Sequence, residues 1–435
     1  MTTETKQLQF EKDEISRFSK ERGEPQWMHD LRLEALEAAE TLPMPRPEKT
    51  RIKGWNFTEF QYNVKSDRIG SLEELPDSVG ALVGKNEQSG NILVHRNQTN
   101  AFEQLSEQLK EQGVIFTDMA TALREHGDLV ENYFMKAVDV HENRLTALHA
   151  ALLNSGTFLY VPKNVEVKVP LQAVYWKDNP EAGLVNHVLI VAEDHSSVTY
   201  VENYVSEDQH VSSVANIIAE VYAGNNARIA FGAVDNFASD VTTFLYRRGQ
   251  AERDGRIEWA LGQMNDGNTI SDTTTNLIGN GSFTDVKSVS VGRGEQSQNY
   301  VTRVNHHGMN SEGFILTHGV MKDKAQSIFN GITKIEHGAS KSNGQQTERV
   351  LMLSEGARGD ANPILLIDED DVEAGHAASV GRIDPIQMFY LMSRGITKKE
   401  AERLIIHGFL APVVDELPIE GVKKQLIEVI ERKMK

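Results

Sequence analysis

The sequence predicts a mainly β protein: a right-handed parallel β-helix, a solenoid, flanked by helical regions at its N- and C-terminal ends. Three observations predict it. Helical periodicity stops near residue 157 and returns only near 381. Between those points, short runs of alternating apolar and polar residues carry the β-branched and aromatic content of strands. Each run is bounded by Gly, Asn, Asp or Ser, and turn glycines at 224, 255, 281 and 313 recur at intervals of 31, 26 and 32 residues. That loose spacing suits coils that each bury a face on the next.

Residues 1–156 read as a mainly helical N-terminal region. DLRLEALEAAETL (30–42) places Leu31, Leu33, Leu36 and Ala39 near one helical face. The three prolines of PMPRPEKTR (43–51) stop that helix. Asn100 with Glu103 forms a capping-box pattern that predicts a helix ending at Gly113. HENRLTALHAALLNSG carries Leu145, Leu148 and Leu152 on one side, with Gly156 at its terminus.

Residues 157–380 read as the β-helix core. Strand-like runs begin with TFLYVP (157–162), VEVKVPLQAVYW (165–176), HVLIVAE (187–193) and SSVTYVENYV (196–205). GNNARIAFG (224–232), DGRIEWALG (254–262), GNGSFTDVKSVSV (279–291) and SEGFILTHGV (311–320) repeat the style. KDKAQSIFNG (322–331) and EGARGDANPILLID (355–368) continue it. A β-sandwich is the competing architecture. It is disfavoured because the run of short strands is too long and tight hairpin signals are few.

Residues 381–435 return to helix. Asp384 is an N-cap, Pro385 sits at the first helical position, Gln387 completes a capping box, and Gly395 ends the helix. Thr397 and Glu400 open a second helix, which Gly408 ends. A third puts Val422, Leu426 and Val429 on one face.

Composition narrows the function. The 435 residues carry 63 acidic and 45 basic side chains, a net charge of -18. That surface repels nucleic acid and anionic lipid, so neither is an expected partner. Cysteine is absent, which removes disulfides, thiolate nucleophiles and thiolate metal ligands together. The polar start and the lack of any apolar run of about 18 residues predict a cytoplasmic chain without a membrane span.

Enzyme motifs are missing. GALVGKN (80–86) is one residue short of a phosphate-binding loop, and Asn86 stands where a hydroxyl would hold magnesium. No G-x-S-x-G or H-E-x-x-H is present. The acidic run IDEDDVE (367–373) is the basis of the alternative function, a β-helical carbohydrate-active enzyme using clustered carboxylates. A purely structural homodimer is a third reading. His306 and His307 are adjacent and would leave a strand on opposite faces. Among His318, His337 and His376, the last is the leading functional candidate, because it follows the acidic run and precedes the switch to helices.

The run G-R-I-D-x-x-Q-x-F-Y-L-x-S-R-G-I from Gly381 to Ile396, together with residues 331–381, resembles the SUF iron–sulfur assembly SufB/SufD family. G-H-A-A-S-V-G at 375–381 is similar to the D-type pattern S-H-G-A-T-V-G, with Gly375 and Ala377 departing from it. The B-type carries a cysteine used in cluster building; this chain has none.

The resemblance implies a non-catalytic scaffold subunit that pairs with a SufB-type paralogue through the β-helices. It also implies docking of a SufC-type ATPase on the C-terminal helices, in the region of Pro385, Met388, Phe389, Arg394, Leu404, Ile405 and Phe409. His376 aligns with the family's interface histidine, a ligand candidate for iron or a transient iron–sulfur cluster shared with SufB. Asp371 and Glu373 are weaker oxygen-ligand candidates. No cofactor is expected on the chain alone. Some family complexes associate with reduced flavin, and a homodimer in isolation is a further assembly the resemblance allows.

Overall fold

In this computed structural model the described residues are 9–83, 90–206, 210–415 and 420–434. The chain begins with helices α1 (Lys12–Glu21) and α2 (Gln26–Thr41), followed by the short α3 (Asp77–Gly80). Strands β1 (Ile92–Arg96) and β2 (Thr99–Gln104), helix α4 (Glu107–Glu111) and strand β3 (Ile115–Asp118) come next. Helices α5 (Met119–Glu125), α6 (Gly127–Glu131) and α7 (Arg144–Leu152) complete the N-terminal region.

The solenoid contains β4 (Ser155–Val161), β5 (Leu171–Lys177), β6 (Leu184–Ala192), β7 (Ser197–Ser206), β8 (Ser213–Ala223), β9 (Arg228–Asn236), β10 (Val241–Ala251) and β11 (Arg256–Gln263). It continues through β12 (Thr269–Leu277), β13 (Phe283–Gly292), β14 (Ser297–His306), β15 (Glu312–Met321), β16 (Gln326–Ile335), β17 (Asn343–Met352), β18 (Arg358–Ile367) and β19 (Glu373–Arg382). Helices α8 (Pro385–Ser393), α9 (Lys398–Val414) and α10 (Glu420–Met434) follow.

From β4 onward the strands alternate between two sheets. Odd-numbered strands pair in parallel in one, even-numbered strands in the other, giving about eight turns of a parallel β-solenoid. The corners explain the uneven repeat. Asn164, His195, Asn226, Asp254, Gly281, Asn310 and Lys341 all have φ between 54° and 71°, the left-handed region that short polar residues and glycine tolerate best. Each backbone N–H donates to the next coil: Asn226 to the carbonyl of Arg253, Asp254 to Asn280, Gly281 to Met309, Asn310 to Ser340 and Lys341 to Asp371. The corners therefore satisfy their own backbone groups while lengths between them vary.

Helical layers cover both sheets. Met28, Ala35 and Leu36 of α2 and Leu145, Leu148 and Leu152 of α7 pack with Leu189, Ile218 and Phe244 of the even sheet. Ile406, Leu410 and Val413 of α9 and Leu426, Val429 and Ile430 of α10 pack with Val201, Val234, Val289 and Val320 of the odd sheet. Each of the larger of these side chains, Val, Leu, Ile, Met or Phe, contributes about 1.5–3 kcal/mol by its burial. The proline-bearing segment after α2 crosses to the distal coils. There Asn299 Nδ2 donates to the Glu48 carbonyl (2.8 Å) and Lys49 Nζ to Asn362 Oδ1 (2.7 Å).

Several local expectations change. Asn100–Gly113 is not one helix: Thr99–Gln104 is a strand paired antiparallel with β1. The turn is Asn97–Gln98, with Asn97 at φ 54°, and Asn100 Nδ2 bonds Glu103 Oε2 (2.8 Å) and Asp118 Oδ2 (3.1 Å) instead of capping. Gly156 lies in β4. Gly313 lies in β15, not at a corner; a Cβ there would come within 2.6 Å of Val304 Cγ1 and 2.8 Å of His306 Nε2. Helix α9 runs through Gly408 to Val414, because Ile406, Leu410 and Val413 hold both halves on the sheet. Asp384 caps α8 through Ile386 N (2.8 Å), without a reciprocal Gln387 bond. Residues 84–86 of the GALVGKN stretch, and the Val422 side chain, lie outside the described residues.

Candidate functional site

The solenoid's last coil and the helices that follow form the candidate site. Strands β18 and β19 end their sheets, each with one neighbour. Register fixes the faces of β19. His376 pairs with Gln346, Ala378 with Glu348 and Val380 with Val350; Gln346, Glu348 and Val350 are all buried. His376 thus lies on the interior-facing side of a coil that no further strand covers among the described residues, and it is exposed. Glu373 is three positions away on the same strand, so it leaves the opposite face.

Asp371 lies in the preceding turn, where its carbonyl accepts the Lys341 N–H (2.5 Å) and its side chain is exposed. Strand parity separates Glu373 from His376, and Asp371 lies outside the strand. Among the described residues no group of three or more His, Asp or Glu side chains is arranged to hold a metal ion. The acidic run itself forms the corner between β18 and β19, where Glu369 Oε2 accepts the Gly338 N–H (2.8 Å).

The interior behind His376 is polar. Among the described residues Glu348 Oε2 has no hydrogen-bond partner, and burial pushes its carboxyl up to about 7 against the pull of the Gly331 and Asn362 N–H groups. Gly331 makes room for it, since a Cβ there would sit 2.3 Å from Glu348 Oε1.

Helix α8 leaves the sheet with its apolar face uncovered. Ile386 is 76 % exposed, Phe389 74 % and Tyr390 56 %, and Met392 is also exposed. Pro385 and Arg394 are exposed and Met388 is half-buried. On α9, Leu404 is exposed while Ile405 and Phe409 are half-buried. Phe409 packs inward on His318, so it joins helix to sheet. Leu404 and Phe389 offer free surface; Ile386 and Tyr390 were not singled out by the sequence pattern, although every residue of the amphipathic run was on view.

The other histidines separate cleanly. His306 is buried, bonded to Ser311 Oγ (2.9 Å), and burial pulls it down to about 4. His337 is almost fully exposed at a corner. Two buried ionic groups escaped the sequence reading. Arg247 of β10 reaches across the interior to Asp235 (2.7 Å) and Glu202 (3.0 Å), all three fully enclosed. Burial pushes the Glu202 carboxyl up to about 7, with Arg247 opposing. The signal was a Glu in phase with Val198, Tyr200 and Tyr204 in SSVTYVENYV. The second group is His149, His187 and Glu220, between α7 and the even sheet.

Two family profiles cover nearly all of this architecture. Residues 16–173 match the SufBD protein N-terminal region, and residues 175–409 match the SufBD core domain of SUF system FeS cluster assembly. This chain belongs to the SufBD family. It is 63 % identical over the full length of both chains to the iron–sulfur cluster assembly protein SufD of Bacillus subtilis, which supports the D-type assignment. It is 28 % identical to a SufBD family protein of Staphylococcus epidermidis, covering 93 % of this chain and 89 % of that one. A Staphylococcus aureus SufBD family protein is 27 % identical over 94 % of this chain and 93 % of its own. Within the SufBD core match lie the solenoid from β6 onward, His376, α8 and the part of α9 up to Phe409. Among the described residues no helix is long and apolar enough to cross a membrane.

Proposed function

We propose that the chain is a non-catalytic scaffold subunit in iron–sulfur cluster assembly. The observation that carries this reading is full-length similarity at 63 % identity to a SufD protein. Two structural features support its finer parts. The last coil ends in unpaired strand edges, a surface that a B-type solenoid can extend by main-chain pairing. The uncovered face of α8 with Leu404 of α9 is an apolar patch suited to an ATPase subunit of the SUF type.

His376 then contributes an imidazole to iron or a nascent cluster, the cargo of the assembly, which takes its thiolate from the partner because this chain has no cysteine. The chain does no ATP chemistry itself. Purification of the tagged chain from its native cells tests the reading: a cysteine-bearing SufBD homologue and an ATPase should accompany it in stoichiometric amounts. Recovery of the chain without either would reject it.

A further inference from the structure

Two buried glutamates stand in one inward-facing column of the odd sheet. Register runs the column from Glu202 through Ala233, Leu261, Ser288 and Thr317 to Glu348. The two differ in their company. Glu202 has Arg247 at 3.0 Å. Glu348 is 1 % exposed, and among the described residues no charged side chain acts on it and its Oε2 accepts no hydrogen bond. The residues beneath it supply no charge, since Ser288 and Thr317 pair their own hydroxyls at 3.0 Å. A buried carboxylate without a cation or a full set of donors is costly, and a native fold keeps one where something further completes it.

Glu348 lies one coil below the open end of the solenoid. Ala378 is the next residue in its column and is exposed; Pro363 follows Gly331 on the facing strand and is half-buried. Among the described residues no further strand lies above either. The side chains in line above the carboxylate are thus a methyl group and a proline ring. His376 belongs to the neighbouring column of the same inward face, one coil above Gln346. Its α-carbon lies about 8 Å from that of Glu348, given about 4.8 Å between strands and about 3.3 Å per residue along them. An imidazole and a carboxylate on side chains of these lengths reach one ion across such a gap. Gln346 does not compete for it: Thr333 Oγ1 donates to its Oε1 and its Nε2 donates to the Ile364 carbonyl, both at 3.2 Å.

We infer that Glu348 is the second group this chain offers to divalent iron at the last coil, forming with His376 a nitrogen–oxygen half-site that ligands of the partner complete. The inference rests on the reading of this coil as the place where the iron of a nascent cluster is held. Imidazole with carboxylate suits divalent iron, and the ion supplies the counter-charge that Arg247 gives Glu202. Two donors from one chain agree with the finding that no three such side chains are grouped among the described residues.

Glu348→Gln keeps the shape of the side chain and removes its charge. Glu348→Thr copies the residue one coil below and is a second variant compatible with the column. In the purified complex of the full-length chain with its partners, both variants should carry severalfold less iron, with unchanged subunit stoichiometry and thermal stability no lower than wild type. A carboxylate with a purely structural role would instead lower stability and leave the iron content alone. Unchanged iron in an intact complex would overturn the inference and leave the scaffold reading standing. If the wild-type chain recovers no partners, the scaffold reading falls by itself, and the isolated full-length chain decides the inference with Mn(II) as a paramagnetic probe. Glu348→Gln and His376→Ala should each weaken Mn(II) binding about tenfold or more. Equal affinity in all three proteins, or no binding by the wild type, would overturn it.

Discussion

The His318 ring stacks on Phe409 at 4.6 Å between centroids with 20° between planes, and its Nδ1 donates to the Phe409 carbonyl at 2.6 Å. This pair joins α9 to β15. Burial lowers the His318 pKa, opposed by the Phe409 carbonyl. A depressed histidine stabilises the fold above its unfolded value and loses that contribution as pH falls below about 6.5. His318→Phe keeps the stacking surface and should flatten that acid-side decline in thermal stability. A decline identical to that of the wild type would show that the pair does not set it.

The interior cation is the second test. Arg247→Met leaves Glu202 and Asp235 buried without their counter-charge, a change expected to cost about 3–5 kcal/mol. Adding Glu202→Gln and Asp235→Asn to it should recover most of the loss, because neutral groups need no counter-charge. Urea unfolding of the three proteins checks this. If the single substitution costs no more than a typical surface change, about 0.5 kcal/mol, the ionic cluster is dispensable.

Docking separates surface from core. Phe389→Asp on the exposed face of α8 should leave stability within about 0.5 kcal/mol of wild type. It should weaken ATPase capture at least about tenfold, the effect of a modest interface hot spot. Ile406→Asp, buried under α9, should unfold the C-terminal layer instead. Undiminished capture by Phe389→Asp and by a Leu404→Asp companion would place docking elsewhere.

His376 offers the sharpest functional test. Because it is exposed on a terminal strand, His376→Ala should neither unfold the chain nor dissolve its complex. Iron and cluster content of the purified complex should fall severalfold. A complex that falls apart assigns the residue a structural role, and full cluster content in an intact complex removes it from the metal pathway.

Much of this was readable in advance. Alternation in SFTDVKSVSV and SEGFILTHGV named strands correctly because burial on one face imposes a period of two. Asp384 and Thr397 marked helix starts because their side chains do accept N–H groups. Asn100 misled because the same side chain serves a hairpin as readily as a cap. Gly313 misled because a glycine that admits a neighbouring ring looks, in one dimension, like a glycine that turns. The separation of Glu373 from His376 follows from strand parity and could have been read; the meeting of Arg247 with Glu202 could not, since it depends on which residues face one another across the interior.

The row of corner N–H groups that runs from coil to coil stops at Lys341, whose acceptor, Asp371, belongs to a coil with no successor. A unit stacked on one side only has roughly half the contacts that slow its opening. In a quasi-one-dimensional protein, local melting begins at such ends. The strand that bears His376 is therefore the one whose amides should exchange with solvent soonest, and any second chain that adds to this edge would be read as protection appearing there first.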